Sequence, residues 1–527
     1  MTARDSALPN DVDALKAMVR AMAEKTALLE ERNAHLERVN TGAEERIARL
    51  MAIVKMLERA RFGTRSERLG AARLSDDQYS LVLDEIETGV AALEAERDKA
   101  VGPSTTKRPP RPRKGFAPHL ERVEVVIEPE DAPGCEGLER VLIGEDVSER
   151  LDVTPARFRV IVTRRPKYVY KGCDGVIQAP APARIIDSGI PTESLLAQIA
   201  VSKYADGLPL YRQEGIFARD KVLIGRSQMA QWMGKVGFEL EPLAEHAFAR
   251  IRKGERIFAD ETSLPTLAPG AGKAKTAYLW TYVRDDRPFG GSDPPVVVYR
   301  FEDSRAGECV ARHLEGYRSI LQVDGYTAYH RLVRPEGANE GVRLAACWSH
   351  VRRKFYELHI SDASVVATQT LEQMASLWAV EESVRGKNAE TRMQARQQAS
   401  ATVVAKLFAF WEGELLRLSR KSKLAEAIRY ALTRRASLEH FLNDGRIELD
   451  SNTVERAIRP QTITRKNALF AGSDGGGRTW AAIASLLATA KMNNIDPHAW
   501  LTQTLERLAN GWSNREIDAL MPWNYRP

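Results

Sequence analysis

The chain has 527 residues and a mass of 58.8 kDa, and its 43% hydrophobic and 28% charged residues are ordinary for a soluble globular protein of several domains. No apolar run reaches the roughly 18–20 residues needed to span a bilayer, and the first residues lack the apolar core of a signal peptide. Four cysteines exclude a disulfide scaffold and fit a reducing cytoplasm. The 77 Lys and Arg residues are nearly balanced by 71 Asp and Glu residues, so nucleic-acid binding depends on where the positive charge gathers.

The N-terminal segment carries an apolar seven-residue repeat. Its d positions are Leu15, Met22, Leu29, Leu36, Ala43, Leu50 and Leu57, and its a positions are Val12, Val19, Thr26, Asn33, Asn40, Ile47 and Val54. About seven heptads are enough for a coiled coil, which predicts a homo-oligomer. The alternative is one amphipathic helix packed against its own domain.

A second helical stretch, about Ser75 to Arg97, is followed by a segment rich in proline and basic residues, Gly102–Pro118. We expect this segment to be an extended linker. Its cations are either free to meet phosphates or part of a solvated spacer. They are Lys107, Arg108, Arg111, Arg113 and Lys114.

Two short strand-like runs come next, Arg122–Glu128 and Phe158–Thr163, with Cys135 and Cys173 near them. A zinc ribbon requires two Cys-x-x-Cys pairs, and here each cysteine stands where only the second member of a pair would be. Two thiolates do not complete a tetrahedral site. We therefore expect a small β module that is held by packing, with zinc unlikely.

The stretch from Ser194 to about Phe238 has a helical pattern. A helix at Leu210–Ala218, a turn at Arg219–Gly225 and a second helix capped by Ser227 would form a helix-turn-helix, whose second helix enters the major groove. An ordinary pair of core helices is the alternative. The residues that would lead toward base edges are Arg226, Ser227, Gln228 and Gln231.

Two apolar runs end in aspartate, at Asp260 and at Asp324. The pattern around them is strand-like at Ala277–Val283, Val296–Phe301 and Val342–Cys347, and helical at Arg305–Leu314 and from Trp348 onward. Three strands followed by a strand–helix pattern, with acids at strand ends, is how an RNase H-like domain begins. In that fold the first and fourth strands are neighbours, which would bring the two carboxylates together. A strand-end aspartate can also be only a turn former.

Phosphodiester cleavage with two Mg²⁺ ions requires a further carboxylate beside such a pair. Glu455 is the candidate, because it opens a helical segment rich in cations. Those cations are Arg456, Arg459, Arg465 and Lys466. The alternative is that Asn452 is an N-cap and Glu455 its capping-box partner.

The resemblance to a known family rests on eleven stretches in a fixed order. They are ARFGTRSERL, GEDVSERLDVTPARFRVI, RPKYVY, VSKYADGLPLYRQ, ADETSLPTLAPG, LWTYVRDDRPFGG, LQVDGYTAY, CWSHVRRKF, LAEAIRYAL, NTVERAIRP and RKNALFAGSDGGG. From about Ala60 to the MPWNY near its end, the chain resembles transposases of the insertion sequence 66 family, which are grouped with the DDE transposases. The family's cysteine module normally carries both pairs, and this chain has half of each.

The resemblance implies that Asp260, Asp324 and Glu455 hold two Mg²⁺ or Mn²⁺ ions. It implies strand cleavage at the ends of a mobile element and transfer of the 3′-hydroxyl into target DNA. The expected partners are the terminal inverted repeats, target DNA and possible accessory proteins of the same element, and the expected location is the bacterial cytoplasm, at the nucleoid. Phosphate contacts are expected from His350, Arg352, Arg353 and Lys354, with a solvated helix face as the alternative.

We therefore predict a multidomain chain of α and α/β regions. The predicted regions are a coiled coil (1–62), a helix with a basic linker (63–115), a small β module resembling a degenerate zinc-binding domain (116–185), a helix-turn-helix-like region (186–245), an RNase H-like catalytic domain (246–470) with a helical insertion at about 362–442, and a C-terminal helical region (471–527). Two rival functions are weighed. Gly472–Thr479 copies the spacing of a phosphate-binding loop, but Arg478 replaces the required lysine, so we expect a flexible loop near the DNA. A DNA-binding remnant that represses or assembles without cutting is the other rival.

Overall fold

The computed structural model describes residues 11–62, 88–97, 99, 116, 118, 120–130, 140–154, 157–171, 174–267, 274–333, 341–362 and 364–526. Cys135, Cys173, the first part of the second predicted helix (75–87) and nearly all of the basic linker, including all five of its named cations, lie outside the described residues. Across the described residues the protein is a mixed α/β structure with many helices and two sheets. None of the described helices is both long and apolar enough to cross a membrane.

The N-terminal repeat forms one continuous helix, α1 (Val12–Phe62), as its periodicity predicts. Its described apolar side chains are largely exposed, with Val19 64% and Met22 60% accessible. The alternative of a helix packed against its own domain is therefore wrong for the described side chains of α1. Residues 88–97 form the next described helix, α2.

The small β module is a four-stranded sheet of β1 (Glu121–Val126), β2 (Arg140–Thr154), β3 (Arg157–Tyr170) and β4 (Ile177–Gln178). Strand β3 lies between β1 and β2 and also pairs with β4. Its apolar face, including Val160 and Val162, joins the main core. Among the described residues the module is thus held by packing, and ion pairs such as Arg159–Asp152, with 2.6 Å between Nε and Oδ2, add to it.

Three helices follow, α3 (Glu193–Tyr204), α4 (Leu210–Arg219) and α5 (Arg226–Arg252). Helix α4 matches its prediction, but α5 begins at Arg226 with Gly225 at the N-cap, so the predicted cap at Ser227 is wrong. Helix α5 is 27 residues long and buries Met229, Trp232 and Met233 in its first turns. It packs against α14 (Asp474–Met492) and β7 (Val296–Glu302) as a core helix.

The central sheet contains β5 (Arg256–Leu267), β6 (Ala274–Arg284), β7, β8 (Ile320–Val323) and β9 (Arg343–Ala346). Their order is β7-β6-β5-β8-β9, with β5, β8 and β9 mutually parallel and β6 antiparallel to both of its neighbours. The first and fourth strands are therefore neighbours, as the sequence predicts. Helix α6 (Gly307–His313) precedes β8, and all four residues of β8 are buried, as expected for a strand covered on both faces.

The outer edge of β7 is covered by α14. Ser485 Oγ accepts the Tyr299 N–H at 2.8 Å, and Thr489 Oγ1 both accepts the Val297 N–H at 3.1 Å and donates to the Val297 carbonyl at 2.9 Å. The two hydroxyls lie four residues apart on one helix face. They satisfy strand groups that would otherwise be an open pairing edge.

Between β9 and residue 443 the chain is largely helical, which agrees with the helical insertion predicted at about 362–442. The helices are α7 (Trp348–Asp362), α8 (Val365–Val384), α9 (Ala389–Ala395), α10 (Ala401–Leu415), α11 (Lys423–Leu432) and α12 (Arg435–Asn443), with a π-helical turn at Arg396–Ser400. They share a second core around Trp348, Phe355 and Trp411. Three further helices, α13 (Asn452–Ala468), α14 and α15 (Pro497–Ala509), pack in the part of the molecule that contains the central sheet and the main core.

Candidate active site

Strands β5 and β8 bring two acids together. Phe258 is paired with Gln322 in the parallel register. Asp260 and Asp324 each lie two residues further along the chain, so a continuation of this register brings them to the same level. Asp324 directly follows β8, as predicted. Asp260 does not end its strand, because β5 continues to Leu267 and Asp260 is paired with Thr281 of β6.

Asp260 lies in surroundings that are both buried and acidic. Burial raises the pKa of Asp260 to about 7, and the negative charges of Asp324 and Glu261 add to the rise. The Glu261 backbone N–H, 2.8 Å from Oδ1, and the His350 side chain oppose it. Asp260 is thus a carboxyl group in an acidic cluster that lacks enough positive charge to hold it ionised.

Asp324 is held by the turn after β8 and by the helices of the insertion. Its Oδ1 accepts the Tyr326 N–H at 2.9 Å, and its backbone carbonyl accepts the Tyr430 hydroxyl at 2.8 Å. Gly325 has a φ of +98°, and a Cβ there would lie 2.6 Å from Arg434 Nε. The turn therefore requires glycine, and it fixes the direction in which Asp324 points.

Glu455 lies in the first turn of α13, a helix that packs on β5. Its Oε1 is 3.9 Å from Nδ1 of His350. The capping-box alternative is wrong, because Ser451 is the N-cap, no side chain caps the helix, and the Asn452 amide donates to Asp450 Oδ2 at 2.8 Å. His350 influences the charge of Asp260 and faces Glu455, so it links the third acid to the pair.

A buried glutamine anchors the start of α13 beside β8. The Gln322 amide nitrogen donates to the Glu448 and Asp450 carbonyls at 2.7 and 3.0 Å, and its oxygen accepts the Glu448 N–H at 3.0 Å. At the next turn the Tyr299 hydroxyl donates to the Ala457 carbonyl at 2.6 Å. These contacts hold the helix that carries Glu455 against the sheet that carries the two aspartates.

Cys347, His350 and Glu455 have potential ligand atoms within 4.8 Å of one another. Burial raises the pKa of Cys347 to about 11, and its sulfur accepts the Ser451 N–H at 3.2 Å. A thiol of this kind stays protonated at neutral pH, whereas metals bind the thiolate. The useful donors of the site are therefore carboxylate oxygens, with His350 beside them, and such oxygens suit a hard divalent cation.

The basic residues predicted to contact DNA fall on three helices. Arg352 and Arg353 are exposed on α7, and Lys354 lies over the Tyr430 ring with Nζ 4.7 Å from its centroid. On α13 the exposed residues are Arg456, Arg459 and Lys466. Arg465 instead bonds to Thr262 and Ser263, so it anchors α13 to β5. On α5 the half-buried residues of the first two turns are Arg226, Ser227, Gln228 and Gln231.

Glu261 was missed by the sequence analysis. Its side chain accepts from Arg305 Nε at 2.8 Å and from the Tyr329 hydroxyl at 2.8 Å, and it is almost fully buried. Strand alternation puts Asp260 and Glu261 on opposite faces of the sheet. This alternation is the sequence signal that distinguishes Asp260, the candidate site residue, from Glu261, whose side chain is held by Arg305 and Tyr329.

Comparison with known families defines the class of this protein. The family model described as "Transposase IS66 family" matches residues 188–479, more than half of the chain, and the protein therefore belongs to this transposase family. The "IS66 C-terminal element" matches residues 485–523, and "Transposase C of IS166 homeodomain" matches residues 49–125. The "zinc-finger binding domain of transposase IS66" matches residues 133–174, which counts against our expectation that zinc is unlikely, although both cysteines lie outside the described residues.

Similar proteins occur in Sinorhizobium fredii (strain NBRC 101917 / NGR234). Uncharacterized protein y4qI is 61% identical over 99% of this chain and 98% of its own length. Uncharacterized protein y4jD is 41% identical over 90% of this chain and 94% of its own length, and uncharacterized protein y4hP is 35% identical over 90% and 88%.

Proposed function

We propose that this transposase cuts DNA strands at the ends of an insertion sequence and joins the released 3′-hydroxyl to target DNA. The observation that supports the proposal is the parallel pairing of β5 with β8, whose register brings Asp260 and Asp324 to the same level, with the charge of Asp324 acting on Asp260. His350 supports the inclusion of Glu455, because its Nδ1 lies 3.9 Å from Glu455 Oε1 and its side chain influences the pKa of Asp260. The strand order β7-β6-β5-β8-β9 supports an RNase H-like arrangement of the catalytic domain.

Asp260, Asp324 and Glu455 fit a divalent cation, because three carboxylates offer hard oxygen donors, and the negative charges of Asp324 and Glu261 add to the burial that raises the pKa of Asp260. We propose two ions, Mg²⁺ or Mn²⁺. When bound, they would neutralise the attacking and leaving oxygens of the phosphodiester. Within the chain, the Tyr326 N–H orients Asp324, and His350 lies beside Glu455 with a buried Nδ1 that has no hydrogen-bond partner among the described residues.

The chemistry needs no nucleotide. Hydrolysis of the phosphodiester transfers a water oxygen to phosphorus and leaves a 3′-hydroxyl. That hydroxyl then attacks a phosphodiester of the target, so one P–O bond forms as another breaks. The exposed cations of α7 and α13 flank the acids, and we assign them to phosphate contacts, with the start of α5 directed toward bases.

The test is a cleavage assay. The full chain is incubated with DNA carrying the inverted repeats that flank its gene, with Mg²⁺ and with or without the element's other proteins. We expect nicked product that disappears in Asp260→Ala, Asp324→Ala and Glu455→Ala while DNA binding is retained, and that persists in the exposed control Asp303→Ala. Equal cutting by all variants contradicts the proposal. Binding without any product supports the rival, an inactive DNA-binding remnant.

A further inference from the structure

A pocket of about 570 Å³ opens beside Glu455, between α7, α8 and the start of α13. One wall is polar and carries His350, Arg352 and Arg353 of α7 together with Glu455. The lining also has an aromatic part, made by Trp378 of α8 and Tyr356 of α7. Neither aromatic residue has a role in the proposed strand cleavage, so the pocket requires an explanation of its own.

The aromatic wall offers ring surface to solvent. Tyr356 is 46% exposed, and the Arg352 guanidinium lies 5.7 Å from its ring centroid. Trp378 is half-buried and hydrogen-bonds to the Asp450 carboxyl. Burial raises the pKa of Asp450, and this hydrogen bond opposes the rise. A tryptophan fixed at its edge and open to a pocket is suited to stack on a flat ligand.

The ligand must also have an anionic part, because two exposed arginines stand at the same pocket. An aromatic face beside cations is the combination that binds unpaired nucleic acid, in which bases stack on rings and phosphates meet arginine. A base inside a duplex is not available for such stacking, so the ligand has to be single-stranded or turned out of the helix.

We propose that this pocket binds one unpaired nucleotide of the DNA, adjacent to the phosphodiester presented to the acids, with its base against Trp378 and Tyr356 and its phosphate near Arg352 and Arg353. The inference rests on the proposed function, since Glu455 lines the pocket and is also one of the three acids that we propose to hold the metal ions. It assigns the insertion helix α8 a direct role in holding the substrate.

The test uses the full chain in EDTA, so that no cutting occurs. The probe is a thymidine oligonucleotide of about ten residues with one central 2-aminopurine, whose fluorescence falls when the base stacks on an aromatic ring. Because stacking on one ring contributes strongly to binding of single strands, Trp378→Ala should weaken the affinity roughly 5- to 100-fold and abolish the quenching. Trp378→Phe should keep most of both. Trp512→Ala, a half-buried tryptophan outside the pocket, should behave as wild type.

Tyr356→Ala is a second variant for the case in which Trp378→Ala misfolds, because Tyr356 is exposed and its loss should leave the fold intact. It should reduce the quenching as well. The proposal is overturned if the wild type does not quench the probe, or if Trp378→Ala and Tyr356→Ala both quench it fully. Because the stacking assay contains no metal, a negative result in it does not decide whether the protein cleaves DNA. A negative result in the cleavage assay likewise does not decide whether the pocket binds an unpaired nucleotide.

Discussion

Asp260 is the residue whose chemistry depends most on its surroundings. The pKa of Asp260 is about 7 in the folded chain, against 3.8 for an ordinary carboxyl group. Below pH 3.8 the group is protonated in both the folded and the unfolded chain, so it costs nothing. As the pH rises toward 7 the unfolded chain releases its proton more easily, so the folded state loses stability. The loss is complete above pH 7.

Replacing this carboxyl should therefore stabilise the metal-free protein. At roughly 1.4 kcal/mol per pKa unit, Asp260→Asn should raise the free energy of unfolding at pH 8 by up to about 4 kcal/mol, and by less than half of that at pH 5. Denaturant unfolding in EDTA at the two pH values measures this. The exposed Asp303→Asn should change neither value. If Asp260→Asn raises the free energy of unfolding equally at pH 5 and pH 8, the raised pKa of Asp260 is contradicted.

Divalent cations should make the wild type more stable than Asp260→Asn, which is the reverse of the order expected without metal. A cation that binds the carboxylates of the folded state and not the unfolded chain stabilises the wild type by mass action. Adding MgCl₂ or MnCl₂ at pH 8 should raise the melting temperature of the wild type and leave that of Asp260→Asn nearly unchanged, with CaCl₂ as a second hard cation for comparison. An equal rise in both proteins would show that the ions bind elsewhere.

At the scale of single residues, the sequence predicts which acids to examine but not their surroundings. Asp324 could be predicted because a short buried strand ends directly before it. The sequence leaves the capping-box alternative for Glu455 open, because Asn452 and Ser451 are both good N-cap residues, and only the fold decides that Ser451 is the N-cap. The raised pKa of Asp260 depends on burial by segments that are far apart in the chain, which a sequence pattern does not show.

At the scale of elements, a chain of buried charges joins the helical insertion to the sheet. Arg256 of β5 and Arg392 of α9 both bond to Glu448, at 3.1 and 2.7 Å, and Arg392 and Arg396 share Glu381 of α8. The arginine side chains are at most 1% exposed. Each carboxylate is thus the counter-charge for arginines that have no access to water.

Removing Glu381 should be costly, because it leaves the buried Arg396 guanidinium without a carboxylate partner, while Arg392 keeps Glu448. Glu381→Ala should lower the free energy of unfolding by roughly 3–5 kcal/mol. The neighbouring Glu382 is exposed, so Glu382→Ala should cost under about 1 kcal/mol. Urea denaturation of the two variants gives the comparison, and similar losses in both would show that the buried network does not stabilise the fold.

The glycine-rich stretch 472–479 was predicted to be a flexible loop, and this prediction is wrong. Ser473 caps α14 by accepting the Gly476 N–H at 3.0 Å, and the glycines form the first turn of that helix. Glycine is a poor helix former, so the local pattern favours a loop. Tertiary packing decides otherwise, because a Cβ on Gly477 would lie 2.4 Å from the Phe301 ring.

This contact gives a matched pair of glycine substitutions. Gly477→Ala should destabilise the protein by about 1–3 kcal/mol, because the Phe301 ring has to move. Gly413→Ala lies in α10, where a Cβ would meet nothing within 4 Å, and it should stabilise the protein by about 0.5–1 kcal/mol. Thermal unfolding of the two variants should therefore show shifts of opposite sign. Shifts of the same sign would contradict the packing argument.

The strands of the central region and the pairing of β5 with β8 could be predicted from the sequence, whereas the covering of the sheet edge could not. Apolar runs bounded by turns predicted β6, β7 and β9 to within about three residues. The covering of the β7 edge by Ser485 and Thr489 was not predictable, since it joins segments about 190 residues apart. Contacts of this kind leave no local periodicity in the sequence.

At the scale of the whole molecule, α1 is an element that the described part of the chain leaves largely uncovered. A helix of 51 residues gains most of its stability from packing along an apolar face, yet its described apolar side chains face solvent. The exposed apolar residues recur at heptad spacing, which is the pattern of a helix that pairs with another helix. A second copy of the chain offers the same apolar face, so we propose that α1 forms the oligomer through a coiled coil.

Charges placed in this face should separate the subunits. Met22→Glu with Leu29→Glu replaces two d positions, and light scattering should then give a mass near the 58.8 kDa of one chain, while the wild type gives a multiple of it. The control is Ala21→Glu with Leu28→Glu, which adds the same charge and removes a similarly exposed leucine one position earlier, outside the a and d seam. It should keep the wild-type mass. If both double variants dissociate, the effect comes from added charge and not from the seam, and if neither dissociates, the subunits associate through another surface.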